Sequence, residues 1–383
     1  MTAFLTPTGR QPRGLVKLYA ANDQNGLPVN GERVDAWIDF DLDNNSFYSA
    51  DTFRCKFAGG LLPTDRNAIW FSNQQDMFVE LFIGFPPDPN NYTSSDLQSW
   101  IYGQVDNIDV DPVTNTIEVD GRDLTRVFID TKTTQKWPNQ TSSQIATQLA
   151  QSHGLTPVVT ATTMKVGKYY EIDHVNMSDE RSEWDILNYL ADQEGFKVWV
   201  RGQSLYFQAP TDPATATPYQ IVYQVGTTSA GPKANFENLK MKRALTVSRG
   251  IQVKIRSWNK KYAKGFTVSY PSSVKTIKVG SSSVGAGGQI YSKTVANLTQ
   301  DQALQYAQNW YQQLIAHEMK LEGLDMPGDN NLDITSVIQF SGTGTAFDQQ
   351  YFPDSIHRSM SFNGGYDMVV SAKNHAPDSQ VVL

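Results

Sequence analysis

Two stretches of alternating polar and apolar side chains lie within residues 39–57, DFDLDNNSFYSADTFRCKF. Residues 39–43 alternate three aspartates with two apolar side chains, and residues 53–57 alternate three apolar side chains with two cations. Successive side chains of a β-strand point to opposite sides of a sheet, so this period of two predicts two strands, each with one buried and one wet face. This part of the chain therefore predicts a β-sheet.

The sequence around this stretch continues in the same manner over residues 1–120. Residues 77–85, MFVELFIGF, are almost continuously apolar and are followed by two prolines, which predicts a strand buried on both faces. The turn-forming string DPVTNT at 111–116 separates two short apolar alternations and predicts a hairpin. Strands joined by short turns indicate that residues 1–120 form a first β-domain, either a barrel or a sandwich.

Residues 121–210 predict a smaller α+β domain with two helices and a hairpin. Thr141 and Gln144 form a capping box at the start of the first helix. A second helix is predicted over residues 182–194, where Gly195 ends it. Alternating strands on both sides of a Gly202–Gln203 turn follow.

Residues 211–383 predict a further strand-rich domain with one long helix near 299–316. Residues 211–232 are rich in Pro, Thr, Ala and Gly and are interpreted as a crossover, and 280–288, GSSSVGAGG, as a flexible loop. Thr299 and Gln302 form a second capping box. Trp310 lies on the apolar stripe of this helix, so its truncation is expected to cost about 3–5 kcal/mol.

Composition restricts the class of protein. The 383 residues include one cysteine, Cys55, which excludes an intramolecular disulfide and a cysteine-rich zinc site. The formal net charge of −7 argues against a general nucleic-acid binder. No apolar run has the length of a signal peptide core or a membrane span, so we expect folding in the cytoplasm without membrane insertion. The densest basic group is interpreted as the wet faces of strands and comprises Lys240, Lys242, Arg243, Arg249, Lys254 and Arg256.

Two strings resemble metal motifs without completing them. His317-Glu318 begins a zincin-like motif, but the position of the second histidine is Leu321. The aspartates at 39, 41 and 43 resemble an EF-hand loop, but Asn44 replaces the turn glycine and Ala50 the bidentate glutamate. We therefore interpret the aspartates as one face of a strand and predict no metal site.

Catalytic motifs are also incomplete. The glycines at 285, 287 and 288 lack the Gly-Lys-Ser/Thr element of a phosphate loop. Glu180 and Glu183 could serve a glycosidase only at a carboxylate separation that sequence spacing does not determine. The five histidines have no recognisable nucleophile beside them and are His153, His174, His317, His357 and His375. We predict no catalytic residue and no cofactor.

Three segments resemble the late-control-protein-D and baseplate-hub family of contractile phage tails, which is related to the N-terminal part of type VI secretion spike proteins. The first is TIEVDGRDLTRVFIDTK at 116–132, followed by the TSSQIATQLAQSHGL helix, and the second is RSEWDILNYLADQEGFKVWVRGQSLYF at 181–207. The third extends from NLTQDQALQYAQNWYQQ at 297–313 through MPGDNNLDI at 326–334 and FSGTGTAFDQQYF at 340–352 to HRSMSFNGGYDMVVSAKN at 357–374. Their order and spacing over about 260 residues make the combination specific.

The resemblance implies a β-rich α+β fold with two tail-tube-like β-barrel domains, at residues 1–120 and 211–383, joined by smaller α+β parts. Three such chains would supply six barrels, which adapts a hexameric tail tube to a trimeric spike. The implied protein is a non-enzymatic virion component of the tail baseplate, folded in the host cytoplasm. Its implied partners are two further copies, the spike, tube subunits, other baseplate proteins, and the DNA or tape-measure protein that passes through its channel without specific binding.

Two other functions stay open at the level of sequence. One is a cell-wall glycosidase that acts through paired carboxylates, and the other is a carbohydrate- or receptor-binding tail module. Arg122 and Asp123, at the centre of the first segment, are interpreted as residues that orient a turn through local hydrogen bonds.

Overall fold

The computed structural model describes residues 11–20, 31–45, 47, 49–137, 139–163, 165, 181–228, 230–245, 250–259, 264–273, 276–279, 282–286, 289–295, 298–315 and 318–374. Strands dominate. Those of the first third are β1 (Arg13–Tyr19), β2 (Glu32–Val34), β3 (Trp37–Asn45), β4 (Thr52–Ala58), β5 (Phe78–Gly84), β6 (Gln98–Asp111) and β7 (Thr116–Asp123). Those of the middle are β8 (Lys132–Thr133), β9 (Thr156–Val159), β10 (Arg181–Ser182), β11 (Lys197–Arg201) and β12 (Ser204–Gln208).

The last part of the chain adds twelve strands, again counted over the described residues. They are β13 (Tyr219–Gln224), β14 (Lys233–Ala234), β15 (Asn238–Arg243), β16 (Ile251–Asn259), β17 (Lys264–Tyr270), β18 (Thr276–Val279), β19 (Ser282–Ala286), β20 (Gln289–Thr294), β21 (Met319–Pro327), β22 (Ile338–Ser341), β23 (Gln350–Ser361) and β24 (Gly365–Asn374). The helices are α1 (Ala68–Ser72), α2 (Thr125–Asp130), α3 (Ser142–Ser152), α4 (Glu183–Glu194) and α5 (Gln300–Ile315), and short 3-10 turns lie at Thr64–Arg66 and Ser94–Asp96.

One large sheet joins the first and last parts of the chain. The order of its main path is β14-β13-β22-β23-β3-β4-β7-β6-β5-β1-β2. A branch starts at β23, which also pairs with β24; β24 pairs in turn with β21, and β21 pairs with β15. The link is the antiparallel pairing of β23 with β3, in which Ser361 lies opposite Asp39 and Ser355 opposite Asn45. Both ends of the sequence therefore build the same core.

The described residues form three hydrophobic cores. The main core lies against one side of the large sheet and holds Phe40, Phe57 and Leu321 among its fully buried members. The second core packs α2, α3 and α4 against the sheet β11-β12-β9, and the third packs α5 against β17-β16-β20. Asn309 and Gln313 of α5 donate hydrogen bonds to the C-terminal turn of α4, so the third core is attached to the second.

Local predictions from the sequence are largely confirmed. Both capping boxes are present, at Thr141 with Gln144 and at Thr299 with Gln302. Gly195 ends α4 with a positive φ of 71°, a conformation that glycine adopts without strain. The apolar run at 77–85 forms β5, which is buried on both faces. The hairpin at 111–116 joins β6 to β7.

Two local predictions are wrong. Tyr219–Gln224, inside the supposed crossover, forms β13 and pairs in parallel with β22. Ser282–Ala286, inside the supposed flexible loop, forms β19 and pairs with β18. In both cases hydrogen bonds to a paired strand stabilise a β-strand in a segment whose composition favours a loop.

The architecture is β-rich α+β, as predicted. No strand order in the described part of the chain closes on itself, so the two tube-like barrels are not confirmed and stay a prediction. The division at residues 120 and 210 likewise stays a prediction. Among the described residues, no helix has the length and apolarity needed to cross a membrane.

Candidate functional surface

Eight consecutive strands of the large sheet present one continuous polar side, which we call the polar sheet face. The strand order is β15-β21-β24-β23-β3-β4-β7-β6, antiparallel throughout. The opposite side of these strands packs against the main core. Alternation along each strand produces this separation, which confirms that Asp39, Asp41 and Asp43 share one face of β3.

The centre of the polar sheet face is acidic. On β3, β4, β7 and the end of β6 it carries seven carboxylates and three cations, which are Asp39, Asp41, Asp43, Glu118, Asp120, Asp109 and Asp111 against Arg54, Lys56 and Arg122. Cross-strand register places Arg54 between Asp41 on one side and Asp120 on the other. The excess of carboxylates makes this part of the face repel polyanions.

Arg54 organises the acidic centre. Its guanidinium lies 2.9 Å from Asp39 and 3.2 Å from Glu118, and it also pairs with Asp41. Burial opposes the charge of Arg54, but the hydrogen bond and charge of Asp41 and the charges of Asp39 and Glu118 raise its pKa above the ordinary value. Arg54 of β4 therefore links the neighbouring strands β3 and β7 through its ion pairs.

Neighbouring pairs extend the charged surface towards the last strands. The Nδ1 atom of His357 lies 2.7 Å from Asp43, and this hydrogen bond raises the pKa of the imidazole. Burial and the nearby charge of Asp325 raise the pKa of Asp367.

The edge of the polar sheet face at β15 is basic. Lys242 lies directly opposite Lys320, which lies directly opposite Lys373. Lys373 pairs with Asp354 at 2.7 Å, whereas the nearest carboxylate oxygen to Lys242 is that of Glu322 at 3.6 Å. Lys240 and Lys242 are exposed, as the sequence predicted for the wet faces of strands. Of the other basic residues predicted there, Arg243 pairs with Glu318, Lys254 and Arg256 lie on β16, and Arg249 is outside the described residues.

Arg122 and Asp123 have the local roles that the sequence predicted. The carboxylate of Asp123 accepts hydrogen bonds from the amide and the hydroxyl of Thr125 at 3.1 and 2.9 Å, which fixes the local turn just before α2. Arg122 pairs with Asp106 at 2.7 Å and with Asp130 of α2 at 3.5 Å. Both residues thus fix the passage from β7 into α2.

A small cleft lies beside this turn. It is lined by residues that include Asp51, Asp123, Trp199 and Arg201, and its volume of about 20 Å³ corresponds to a single water molecule. Burial raises the pKa of Asp51 to about 7, against the hydrogen bonds donated by Asn44 and Asn45. Burial also raises the pKa of Asp123. A carboxyl group with a raised pKa is the feature expected of a general acid, but a sugar ring is much larger than this cleft.

The remaining sequence candidates do not come together. Glu183 lies 2.5 Å from His153 inside the second core, and Glu180, which would be its partner, is outside the described residues. His174, His317, His375, Gly287 and Gly288 are also outside them, and Gly285 lies in β19. Within the described ranges no group of three or more His, Cys, Asp or Glu side chains is arranged to hold a metal ion.

The sequence interpretation missed the basic row at 320 and 373 and the acidic pair at 325 and 367. The signal was present, because residues 319–327 and 365–374 alternate in the same way as residues 39–43. It also missed Asp51, which no local pattern distinguishes.

Comparisons with known proteins identify the class of fold. No protein-family profile matches the chain, and no curated protein sequence matches it. The structure is similar to a tail protein from Neisseria meningitidis MC58, with a TM-score of 0.62 and 14% identity over 96% of this chain and 99% of that one. It is equally similar to the 43 kDa tail protein of prophage MuSo2 from Shewanella oneidensis, with a TM-score of 0.61 and 14% identity over 96% and 100% of the two chains.

A chain of the Francisella PdpA–VgrG complex also matches, with a TM-score of 0.54 and 9% identity over 96% of this chain and 53% of that one. The chain therefore has a fold similar to that of two phage tail proteins and of a chain in the PdpA–VgrG complex. At the level of fold, this confirms the resemblance to the baseplate-hub family.

Proposed function

We propose that the protein is the structural hub at the centre of a contractile phage-tail baseplate. The observation that carries this proposal is the likeness of fold over nearly the whole length of this chain and of two phage tail proteins. As a hub, three copies would connect a hexameric tail tube to a trimeric spike and contact other baseplate proteins. The protein would then be a virion component.

The polar sheet face is the proposed wall of the central channel. A passage for DNA works best if the wall does not hold the cargo, because each cationic contact with a phosphate adds affinity and slows movement. The acidic centre formed by β3, β4, β7 and the end of β6 satisfies this requirement. The basic edge at β15 would lie at the boundary between copies.

The solution mass of the purified chain tests the proposal. The chain has a mass of 42.7 kDa, and light scattering at micromolar concentration, with and without the cognate spike, should give a trimer in at least one of the two conditions. A monomer in both conditions would contradict the hub function.

A cell-wall glycosidase is the alternative function, because burial raises the pKa of both Asp51 and Asp123. The cleft beside them has room for about one water molecule, and both carboxylates are engaged by neighbouring groups. We therefore propose a non-enzymatic role and expect that purified peptidoglycan incubated with the chain releases no soluble fragments. If the unmodified chain released fragments and Asp51→Asn or Asp123→Asn abolished that release, the protein would be a glycosidase instead.

A further inference from the structure

The polar sheet face ends in two strand edges that have no partner among the described residues. At one end, β15 pairs with β21 alone. At the other end, β5 pairs with β6 over Gln98–Gln104, so the continuation of β6 from Asp106 to Asp111 pairs only with β7. An unpaired edge presents a row of backbone donors and acceptors that a further strand can engage.

The directions of the strands allow these two edges to pair between copies. The eight strands of the face alternate strictly in direction, so β15 and β6 run in opposite directions within one copy. A rotation about an axis roughly parallel to the strands keeps the direction of each strand. The β15 edge of one copy would therefore meet the β6 edge of the next copy as an antiparallel neighbour, and each added copy would repeat the same contact.

The side chains of the two edges are complementary in one antiparallel register. On the polar sheet face, β15 carries Lys240 and Lys242, and β6 carries Asp109 and Asp111. On the core side, Met241 is 37% exposed and Val110 is 40% exposed. When Met241 lies opposite Val110, Lys240 lies opposite Asp111 and Lys242 opposite Asp109, so the same register buries the apolar pair and neutralises both charge pairs.

Each edge also carries a charge excess within its own sheet. Lys242 lies directly opposite Lys320 of β21, and Asp109 lies directly opposite Glu118 of β7. Like charges directly opposite each other destabilise a sheet, and a neighbouring strand of opposite charge offsets that cost.

We propose that β15 of one copy pairs antiparallel with residues 106–111 of β6 in a second copy, with Met241 opposite Val110, and that this head-to-tail contact closes the ring of copies. The proposal rests on the hub function and specifies its subunit interface. The occupant of each edge is thus another copy of this chain.

Disulfide trapping tests the register. Directly opposite residues of an antiparallel pair have Cα atoms about 4.5–5.5 Å apart, which a disulfide spans. The Met241→Cys/Val110→Cys double variant, oxidised with copper phenanthroline, should give covalently linked copies. The largest product should be a single species, the closed ring. A mixture of the two single variants should give linked dimers only. The Met241→Cys/Val113→Cys variant is the control, because Val113 is 91% exposed but lies beyond the proposed pairing.

Charge reversal tests the contact without a new covalent bond. Lys242→Glu and Asp109→Lys should each weaken assembly by about tenfold or more, and the Lys242→Glu/Asp109→Lys variant should restore it. Lys132→Glu, an exposed strand position outside the polar sheet face, should leave assembly unchanged.

The outcomes separate this interface from the hub function. Trimers of the unmodified chain that neither crosslink at 241 and 110 nor respond to the charge reversals would overturn the interface and leave the hub function intact. An unmodified chain that remains monomeric at high micromolar concentration, alone and with the spike, would overturn both. Crosslinking of the Val113 control at the same yield would also overturn the register.

Discussion

Arg358 is a buried cation at the centre of the main core, with 0% exposure. Its guanidinium lies 3.5 Å from the ring centroid of Trp100 and donates hydrogen bonds to the hydroxyl of Tyr366 at 2.7 Å and to the carbonyl of Leu332 at 2.5 Å. Three parts of the chain thus meet at one side chain. The network joins the segments 326–334 and 357–374, because Leu332 lies in the first and Arg358 and Tyr366 lie in the second.

Replacement of Arg358 should strongly destabilise the fold. Arg358→Ala leaves a cavity and removes the donors of buried acceptors, so we expect a loss of about 3–5 kcal/mol in the free energy of unfolding. Arg358→Lys keeps a charge but lacks the planar fork and should recover only part of the loss. Urea unfolding measures both, with the exposed Arg256→Ala as a control expected to change stability by less than about 0.5 kcal/mol. A loss below about 1 kcal/mol for Arg358→Ala would contradict the network.

His357 gives the polar sheet face a response to pH. Its pair with Asp43 raises the folded-state pKa above the ordinary value of about 6.5, so the charged imidazole is favoured in the folded state. The resulting stabilisation is fully present below the unfolded-state pKa and is lost as the pH rises through the folded-state pKa. Both side chains are nearly half exposed, so salt should weaken the effect.

An NMR titration of His357 measures this directly. Asp43→Asn should lower the pKa of His357 towards its ordinary value, whereas Asp109→Asn, four strands from His357 on the same face, should leave it nearly unchanged. An unshifted His357 in the unmodified protein would refute the pairing.

At the scale of elements, α5 shows where helix periodicity is informative. The helix forms at Gln300–Ile315, close to the predicted 299–316, and Ala303, Tyr306 and Ala307 are buried as its apolar stripe requires. Trp310 lies on the same side but is only partly buried, with its ring 6.2 Å from that of Tyr291 and edge-on to it. The sequence-based cost of 3–5 kcal/mol assumed full burial of Trp310, which the structure does not show.

Trp310→Ala should therefore cost less than a fully buried tryptophan. We expect about 2 kcal/mol rather than the 3–5 kcal/mol typical of complete burial. Leu304→Ala, which removes a side chain that is 38% exposed on the same helix, should cost clearly less. Thermal unfolding compares the two variants, and an equal or larger loss for Leu304→Ala would show that the helix is rotated from its assigned orientation.

Local patterns predicted the elements, but the polar sheet face depends on pairing that no local pattern encodes. Strand alternation at 39–43 and 53–57 and the two capping boxes were readable because each depends on residues within a few positions of one another. The contact of His357 with Asp43 joins residues 314 positions apart. A register at that separation is set by the packing of the whole core, which single-sequence periodicity does not report.

At the scale of the whole molecule, the charge of the polar sheet face predicts weak contact with DNA. Filter binding of short duplex DNA at about 50 mM salt, where attraction is least screened, should detect no binding at micromolar protein. The Asp39→Lys/Asp43→Lys variant should gain salt-sensitive DNA binding, and it serves as the positive control for the assay. Tight, salt-sensitive binding by the unmodified chain would mean that its basic residues hold DNA.

We propose that several copies of this chain form the ring at the centre of a tail baseplate. Electron microscopy of the purified assembly, alone or on its spike, tests it most directly, because one averaged image shows both the number of copies and the opening. We expect a threefold ring with a central channel, whose wall is the polar sheet face. A solid particle, or a ring with a number of copies other than three, would contradict it.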